Sequence, residues 1–340
     1  MIGRFFETFS PTLPYKPLSN VPVFYTWRIV HTMENTSLKS NYALSAPMAV
    51  NNPQHWFSFL FRFNPQDTVR KLFPMILLIS AYSALVAYLE IEVWQLSENS
   101  HVRNISVMHS ILGFVLSFLL VFRTNTAYER WWDGRRLWSQ QVQHSRNLAI
   151  KLGAMLPLDA PERKYFRILI PAYAVVLLRH LNKKEPEQMD DLDNLPQDIK
   201  TQLDFKKHVP NQYIGLMHQY LQVMFREGRL QWGQVLFVNT ELQAFTEICA
   251  SCERIRYTPI PRSYSGFLKK FIFFYIMTLP FGYVFNLGYL IVPIVAFVFY
   301  VLASLELIAE EIEDPFGGDD NDLPLSRIVQ GIKSQVEEVM

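Results

Sequence analysis

Three phenylalanines at every fourth position are the first pattern in this sequence that suggests chemistry. Phe114, Phe118 and Phe122 lie in the run SILGFVLSFLLVFRTNTAYERWW, which begins at Ser110 and ends at Trp132. At about 100° per residue, a spacing of four residues drifts by only about 40° per step, so the three rings share one helix face. Such a stripe either packs against lipid or core, which the spacing alone favours, or narrows a pore that gates by dewetting.

Two small residues and one arginine flank this aromatic stripe. Gly113 and Ser117 form a small-xxx-small pair beside it, which lets a neighbouring helix approach closely. A helix with one close-packing face and one aromatic stripe suits a ring of identical helices. Arg123 follows the stripe directly.

A second candidate site is the acidic run EEIEDPFGGDDND, which extends from Glu310 to Asp322. Carboxylates around a Pro-Phe-Gly-Gly turn are ligands of the kind that calcium prefers. The run does not have the EF-hand spacing, and a solvated acidic turn is the simpler interpretation.

Other reactive residue types form no pattern typical of an enzyme. Cys249 and Cys252 make one isolated C-x-x-C, which indicates two buried helical thiols rather than a zinc or thioredoxin motif. His109 lies near the outer end of an apolar segment, where a functional and an interfacial role are equally compatible with the sequence. No phosphate-binding loop, nucleophile elbow or H-E-x-x-H motif occurs, so we do not expect an enzyme.

Long uncharged runs place these residues in a membrane protein. The chain is 50% hydrophobic and only 19% charged, below the roughly 25% typical of soluble domains. Its net charge of +1 gives no support for nucleic-acid binding. The uncharged runs predict four spans, the last two joined by a hairpin near Asn286 and Gly288. A buried hairpin in a large soluble protein is the alternative. The predicted spans are 72–90, 105–123, 267–285 and 289–308.

Lysine and arginine near the span ends indicate the orientation, because these residues are enriched on the cytoplasmic side. Both termini and the long middle segment should then be cytoplasmic. The loop between the first two spans contains one arginine, Arg103. The basic residues on the other side are Arg62, Arg70, Lys71, Arg123, Arg130, Arg135, Arg136, Lys269 and Lys270.

The rest of the chain is predicted to be helical, apart from its first part. The apolar run from Ile168 to Leu178 is short for a span and is assigned to a cytoplasmic bundle. The N-terminal arm is predicted to be irregular, either as a loose native arm or as the product of an early start codon, with Met48 as the true start. The predicted organisation is an arm (1–52), an interfacial helix with the first two spans (53–123), a cytoplasmic helical domain (124–266), the last two spans (267–308), and an acidic turn with a C-terminal helix (309–340).

Three segments together resemble the bestrophin family of chloride channels: SILGFVLSFLLVFRTNTAYERWWDGRRLW, CERIRYTPIPRSY and IAEEIEDPFGGDDNDLPL. The resemblance covers roughly residues 54–340. It implies an all-α membrane protein with four transmembrane helices per subunit and a cytoplasmic helical bundle, assembled as a homopentamer around one pore. The implied partners are chloride or other small monovalent anions, membrane lipids and further copies of the chain.

The resemblance also assigns roles to individual residues. Phe114, Phe118 and Phe122 would form the pore neck, with Arg123 at its cytoplasmic mouth. Ile255, in the RIRYTPIP segment, is the candidate for a second, cytoplasmic aperture. No cofactor is required, but animal members bind calcium at the acidic stretch. Gly318 and Asn321 stand where the animal pattern is more acidic. The matching carboxylates here are Asp314, Asp319, Asp320 and Asp322.

Several alternatives stay open at this point. A relative that conducts cations would have the same fold, although the aromatic neck favours anions. A membrane-anchored scaffold or enzyme would use residues 124–266 and would be a monomer or dimer. A secondary transporter would need inverted repeats, and the sequence shows no internal repeat. The expected location is a bacterial inner membrane, or a thylakoid membrane in a photosynthetic eukaryote.

Overall fold

The described part of this computed structural model is built of helices. It comprises residues 68–94, 105–182, 201–319 and 321–340, and no strand occurs among them. All of these residues belong to one compact unit, Asn51–Met340. The predicted arm and the interfacial helix up to residue 67 lie outside the described residues. The α-helices are α1 (Thr68–Tyr88), α2 (Ile105–Met155), α3 (Pro161–Leu181), α4 (Val209–Arg226), α5 (Trp232–Tyr257), α6 (Arg262–Leu287), α7 (Ile291–Glu313) and α8 (Leu325–Val339).

Four of these helices carry the predicted membrane spans. Three helical segments are long and apolar enough to cross a bilayer, namely Thr68–Val93, Ser106–Met155 and Arg262–Glu313. The first contains α1 with its one-turn π extension, and the third contains both α6 and α7. The prediction of an all-α membrane protein with four transmembrane helices is therefore confirmed.

The helices α6 and α7 form the predicted hairpin. A 3₁₀ turn, Gly288–Leu290, joins them, and Gly288 has a positive φ of 55°, which side-chain-bearing residues rarely adopt. Near the other end of the hairpin, Lys269 Nζ lies 2.7 Å from Glu310 Oε2. An ion pair between the start of α6 and the end of α7 requires the two helices to run antiparallel.

Ion pairs also show that the charged ends of the four membrane helices lie together. Lys71 at the start of α1 contacts Glu311 at 2.6 Å, and Arg123 in α2 contacts Glu313 at 2.7 Å. Both glutamates belong to the last turn of α7. Lys71, Arg123 and Lys269, three of the basic residues that predicted the cytoplasmic side, thus lie at one end of the membrane bundle, where α2 continues into the second helical domain.

Helix α2 links the two parts of the molecule without a break. It spans Ile105–Met155, or 51 residues, and is about 76 Å long at 1.5 Å per residue. It contains no proline. The predicted domain boundary at residue 123 therefore falls inside one continuous helix, and the aromatic stripe is rigidly connected to the cytoplasmic bundle.

Helix α3 lies at the centre of the cytoplasmic bundle. Leu169, Ile170, Tyr173 and Leu177 are completely buried, and so are most of their neighbours in the helix. Burial on all sides explains why this helix is apolar around its circumference although it lies outside the membrane spans.

Helix α5 runs antiparallel to the lower half of α2. Near its start, the Phe237 carbonyl accepts a hydrogen bond from Lys151 Nζ at 2.8 Å. Near its end, the Thr258 carbonyl accepts one from Arg130 Nη1 at 2.8 Å. Cys249 and Cys252 are free thiols buried on the inner side of α5, as the sequence predicts. The start of α5 is thus the end farther from the membrane helices.

Candidate functional site

The three phenylalanines form a continuous exposed stripe on α2. Phe114, Phe118 and Phe122 are 73%, 55% and 51% exposed in the single subunit. The rings of Phe114 and Phe118 are nearly parallel at 6.5 Å, and those of Phe118 and Phe122 meet edge to face at 4.5 Å. Within the described part of the subunit each of the three side chains keeps at least half of its surface exposed, so they are available to line a shared surface.

The opposite face of α2 packs against the other membrane helices. Leu116 and Leu120 are buried on it, together with Ala127 farther down. At the edge of this face, a Cβ atom on Gly113 would lie 2.8 Å from the Tyr275 hydroxyl of α6. Gly113 therefore permits a close helix contact within the subunit. Ser117 is exposed and donates its hydroxyl hydrogen to the Gly113 carbonyl at 2.8 Å.

His109 belongs to the packing of the same membrane bundle. Its side chain is buried, and Nε2 lies 3.0 Å from the Thr278 hydroxyl of α6. Its ring also lies beside Tyr275, with 5.3 Å between the ring centroids. The residue joins α2 to α6 within the subunit.

Arg123 lies on the buried face of α2, and this corrects its expected place at a pore mouth. Its side chain is 1% exposed, with Nη2 2.7 Å from Glu313 Oε2 and Nε 3.5 Å from Glu306 Oε2. One residue past Phe122 turns a helix by about 100°, which carries Arg123 onto the face of Leu120. Two carboxylates neutralise its charge, so it cannot concentrate anions.

The face of the aromatic stripe continues below the membrane segment as an exposed polar surface. Asn125, Glu129, Trp132 and Arg136 follow Phe122 at helical spacing and are all exposed. Arg136 Nη2 lies 3.0 Å from the exposed carboxylate of Asp133. If the stripe lines a pore, these side chains line the space immediately below it.

Ile255 is an internal residue of the cytoplasmic bundle, which corrects its assignment as an aperture residue. Its side chain is 8% exposed and belongs to the hydrophobic core. Its carbonyl accepts a hydrogen bond from Arg130 Nη2 at 2.6 Å. Arg130 lies about two helical turns beyond Arg123, so Ile255 is also close to the membrane segment rather than at the far end of the bundle.

Exposed apolar side chains do occur on α5, at its end farther from the membrane helices. Trp232, Leu236 and Phe237 are exposed near its start, and Lys151 Nζ lies 4.0 Å from the Phe237 ring centroid. Leu236 begins a stripe of exposed α5 residues at alternating spacings of four and three. Of this stripe, the spacing of the polar residues Gln243 and Glu247 is visible in the sequence, whereas the exposure of Leu236 follows only from the fold.

The predicted acidic site is a compact turn between α7 and α8. Asp322 Oδ2 accepts a hydrogen bond from the Asp319 amide at 2.5 Å, and the Trp131 indole donates to the Asn321 carbonyl at 3.1 Å. A Cβ atom on Gly317 would lie 3.2 Å from Asp322 Oδ2 and 3.4 Å from Asp314 Oδ2. Asp314, Asp319 and Asp322 thus come together, while Asp320 lies outside the described residues.

An arginine already meets one of these carboxylates. Arg256 of α5 pairs with Asp314. Burial raises the pKa of Asp322 to about 6, with the charges of Asp319 and Asp314 contributing. Arg256 supplies part of the positive charge that a calcium ion would bring, and calcium at this turn stays a prediction.

The chain is similar along most of its length to proteins named voltage-dependent anion channel-forming. Voltage-dependent anion channel-forming protein YneE of Escherichia coli K12 is 31% identical over 290 residues, covering 84% of this chain and 92% of that protein. Voltage-dependent anion channel-forming protein alr2987 of Nostoc sp. PCC 7120 is 32% identical over 297 residues, with the same coverage.

Solved structures agree with this similarity. A crystal structure of a bacterial bestrophin homologue from Klebsiella pneumoniae, with a point mutation, has a TM-score of 0.72 and 25% identity. The match covers 79% of this chain and 98% of that one. A model of the bacterial and fungal bestrophin family matches residues 48–338. The chain therefore belongs to the bacterial and fungal bestrophin family.

Proposed function

We propose that five copies of this chain form a membrane channel for chloride and other small monovalent anions. The observation that carries the proposal is the exposed stripe of Phe114, Phe118 and Phe122 on a helix whose other face is packed within the subunit. Similarity to proteins named voltage-dependent anion channel-forming supports the choice of ion. The proposed location is a bacterial inner membrane, with a thylakoid membrane as the alternative.

The stripe supplies a mechanism for both gating and selectivity. Fifteen phenyl rings around one axis would make an apolar constriction that conducts when wetted and closes when it loses water. Aromatic ring edges carry partial positive charge, so a weakly hydrated anion that passes along them is favoured over a cation. The rings of Phe118 and Phe122 are nearly perpendicular to each other, so the two cannot both turn their faces toward one axis, which supports this arrangement.

Charge below the neck contributes less to selectivity than a pore-lining arginine would. Arg136 replaces Arg123 as the exposed basic residue on the stripe face, but Glu129 and Asp133 are exposed beside it. A vestibule of mixed charge attracts anions only weakly. Selectivity is therefore proposed to reside mainly in the aromatic neck.

A second constriction is proposed at the distal end of the cytoplasmic bundle. Trp232, Leu236 and Phe237 are exposed apolar residues on the α5 end remote from the membrane helices. In a ring of five subunits they would narrow the cytoplasmic exit, the role first expected of Ile255. Calcium at the acidic turn is a separate, regulatory proposal, with Asp314, Asp319 and Asp322 as the described ligands.

Ion flux from liposomes that contain the purified full-length protein tests the proposal. Chloride, nitrate, bicarbonate and sodium are compared, and the reversal potential is measured in planar bilayers under a salt gradient. We expect flux of the anions and a reversal potential near the chloride equilibrium value. A reversal potential of the opposite sign would identify a cation channel. Absence of any flux, with a monomer or dimer in detergent, would instead favour a membrane-anchored scaffold.

The calcium proposal is tested in the same bilayers by adding calcium and then a chelator on the cytoplasmic side. We expect the open probability of the wild-type channel to depend on calcium and that of the Asp322→Asn variant not to. Equal open probability of the wild type with and without calcium would show that calcium does not regulate the channel. The proposal of an anion pathway would stand unchanged.

A further inference from the structure

Two histidines and a glutamate meet on the side of the cytoplasmic bundle, away from the aromatic stripe. His180 Nε2 and His208 Nε2 each lie 2.6 Å from the same oxygen, Oε1 of Glu253. The two imidazole rings are 4.7 Å apart between centroids and inclined at 61°. One potential ligand atom from each residue lies within 4.8 Å of the others.

Three separate elements bring these side chains together. His180 is in the last turn of α3, His208 is the N-cap residue of α4, and Glu253 is near the end of α5. The side chains are 23%, 34% and 25% exposed, so the cluster is partly shielded but open on one side. Helices packed in a common core hold the ligands in place before any ion arrives.

From this arrangement we infer that His180, His208 and Glu253 form a binding site for a divalent transition-metal ion, with Zn²⁺ the ion whose chemistry fits best. Two imidazole nitrogens and one carboxylate oxygen are a common protein ligand set for zinc, which completes its tetrahedron with solvent or another ligand. The exposed side of the cluster leaves that fourth position free. The metal replaces the two N–H groups that now meet at the carboxylate.

Metal binding would change one hydrogen bond at the start of α4. His208 Nδ1 now accepts the amide hydrogen of Asn211 at 3.2 Å, so the ring proton is on Nε2. Coordination through Nε2 moves this proton to Nδ1 and removes the capping interaction. Loss of one cap costs less free energy than three metal–ligand bonds supply.

The site would also connect distant parts of the chain. One ion would join the end of α3, the start of α4 and the end of α5. Glu253 is two residues before Ile255, whose carbonyl is bound by Arg130 of α2. A metal ion here would therefore stiffen the bundle directly beside the lower half of the proposed pore helix.

Zinc content of the purified full-length protein tests the inference. The protein is isolated in detergent with an affinity tag free of histidine, dialysed against Zn²⁺, and analysed for metal beside Glu253→Gln. His144→Ala is the matched control, because His144 also lies 2.6 Å from a glutamate but belongs to no metal-ligand cluster among the described residues. We expect one zinc per chain in the wild type and the control. In Glu253→Gln we expect the affinity for zinc to fall by at least roughly 10- to 100-fold. Losses of that size are typical when a group that only orients a metal ligand is removed, and Glu253 is proposed to be a ligand itself.

X-ray absorption spectroscopy of the zinc-loaded wild type decides the question even if a variant does not fold. Two imidazole ligands and only nitrogen or oxygen donors are expected. Sulfur ligation would move the site to Cys249 and Cys252 and overturn the inference. Wild type without stoichiometric zinc, or equal zinc in a folded Glu253→Gln variant, would also overturn it. None of these readouts depends on ion conduction.

Discussion

The phenyl ring of Phe118 is the middle one of the stripe, with its centroid 6.5 Å from that of Phe114 and 4.5 Å from that of Phe122. We predict that Phe118→Ala increases single-channel current or abolishes closure, because removing five rings at one level widens and wets the constriction. The measurement is single-channel recording in planar bilayers. Phe297→Ala is the matched control, since Phe297 is also more than half exposed but lies on α7. Unchanged current in Phe118→Ala, or the same change in both variants, would show that Phe118 does not line the pore neck.

Arg123 is predicted to be a structural residue. Arg123→Gln leaves the nearly buried carboxylates of Glu306 and Glu313 without their shared cation, and breaking a buried pair typically costs about 3–5 kcal/mol. We therefore expect a markedly lower melting temperature in detergent. Arg136→Gln, which breaks an exposed pair, should cost about 1 kcal/mol or less. Equal melting temperatures for the two variants would contradict the buried position of Arg123.

Helical periodicity explains which of the residue assignments could be made from sequence. Positions 114, 118 and 122 share a face on any α-helix, so the exposed stripe follows directly from their spacing. Leu116, Leu120 and Arg123 share the opposite face by the same rule, but the partners of Arg123 are about 180 residues away in the chain. Only the fold brings Glu306 and Glu313 to it, and for Ile255 only the fold shows which side of α5 is buried.

At the scale of elements, the acidic turn packs tightly on α2. A Cβ atom on Gly134 would lie 3.0 Å from Pro315 Cγ and 3.1 Å from Phe316 Cε1. We predict that Gly134→Ala destabilises the protein by about 1–3 kcal/mol, the usual cost of overpacking. Gly215→Ala in α4, where nothing lies within 4 Å, should be neutral or stabilising by up to about 1 kcal/mol. Thermal melting of the two variants in the same detergent measures the difference. A melting temperature of Gly134→Ala at or above that of Gly215→Ala would contradict this contact.

The α2–α5 contact is predicted to weaken in acid. Burial opposes ionisation of Glu241, but hydrogen bonds from Lys151 and His144 outweigh it and hold its pKa below the ordinary 4.5. A carboxylate with a lowered pKa adds stability above its ordinary pKa, and this is lost as the pH falls through the folded value. Glu241→Gln should therefore lower the melting temperature at pH 7, and the difference from wild type should shrink well below pH 4.5.

The control for this pH dependence is Glu247→Gln, which changes an exposed glutamate of the same helix. The melting temperature of this variant should match that of the wild type both at pH 7 and well below pH 4.5. A constant difference between wild type and Glu241→Gln at every pH would show that the ion pairs of Glu241 do not supply the stability.

For the whole molecule, the proposed channel requires five subunits. Multi-angle light scattering of the purified protein, corrected for detergent, should give a protein mass near five times the 39.8 kDa of one chain. The exposed stripe on α2 has no partner within the described part of a single subunit, which is why association is expected. A mass of one or two chains would contradict the pore and with it the role of the stripe.

The overall architecture could be predicted from the sequence more fully than the candidate functional site. Uncharged runs of bilayer length fix the spans because every charge in lipid is costly, and the glycine at 288 marks the hairpin. The histidine cluster could not be predicted from the sequence, because His180, His208 and Glu253 are widely spaced along the chain and match no metal-binding motif. Their convergence depends on how α3, α4 and α5 pack, which local pattern does not encode.

The unbroken course of α2 has a mechanical consequence. With no proline or other break over 51 residues, torque applied to its cytoplasmic end reaches the bilayer with little loss. Beside the rings, on the same exposed side of the helix, lie the hydroxyls of Ser110 and Ser117. In the proposed pentamer, a rotation of α2 by several tens of degrees about its own axis would replace the phenyl edges with these hydroxyls at the pore axis. One rigid helix would thereby convert an apolar constriction into one that water can wet.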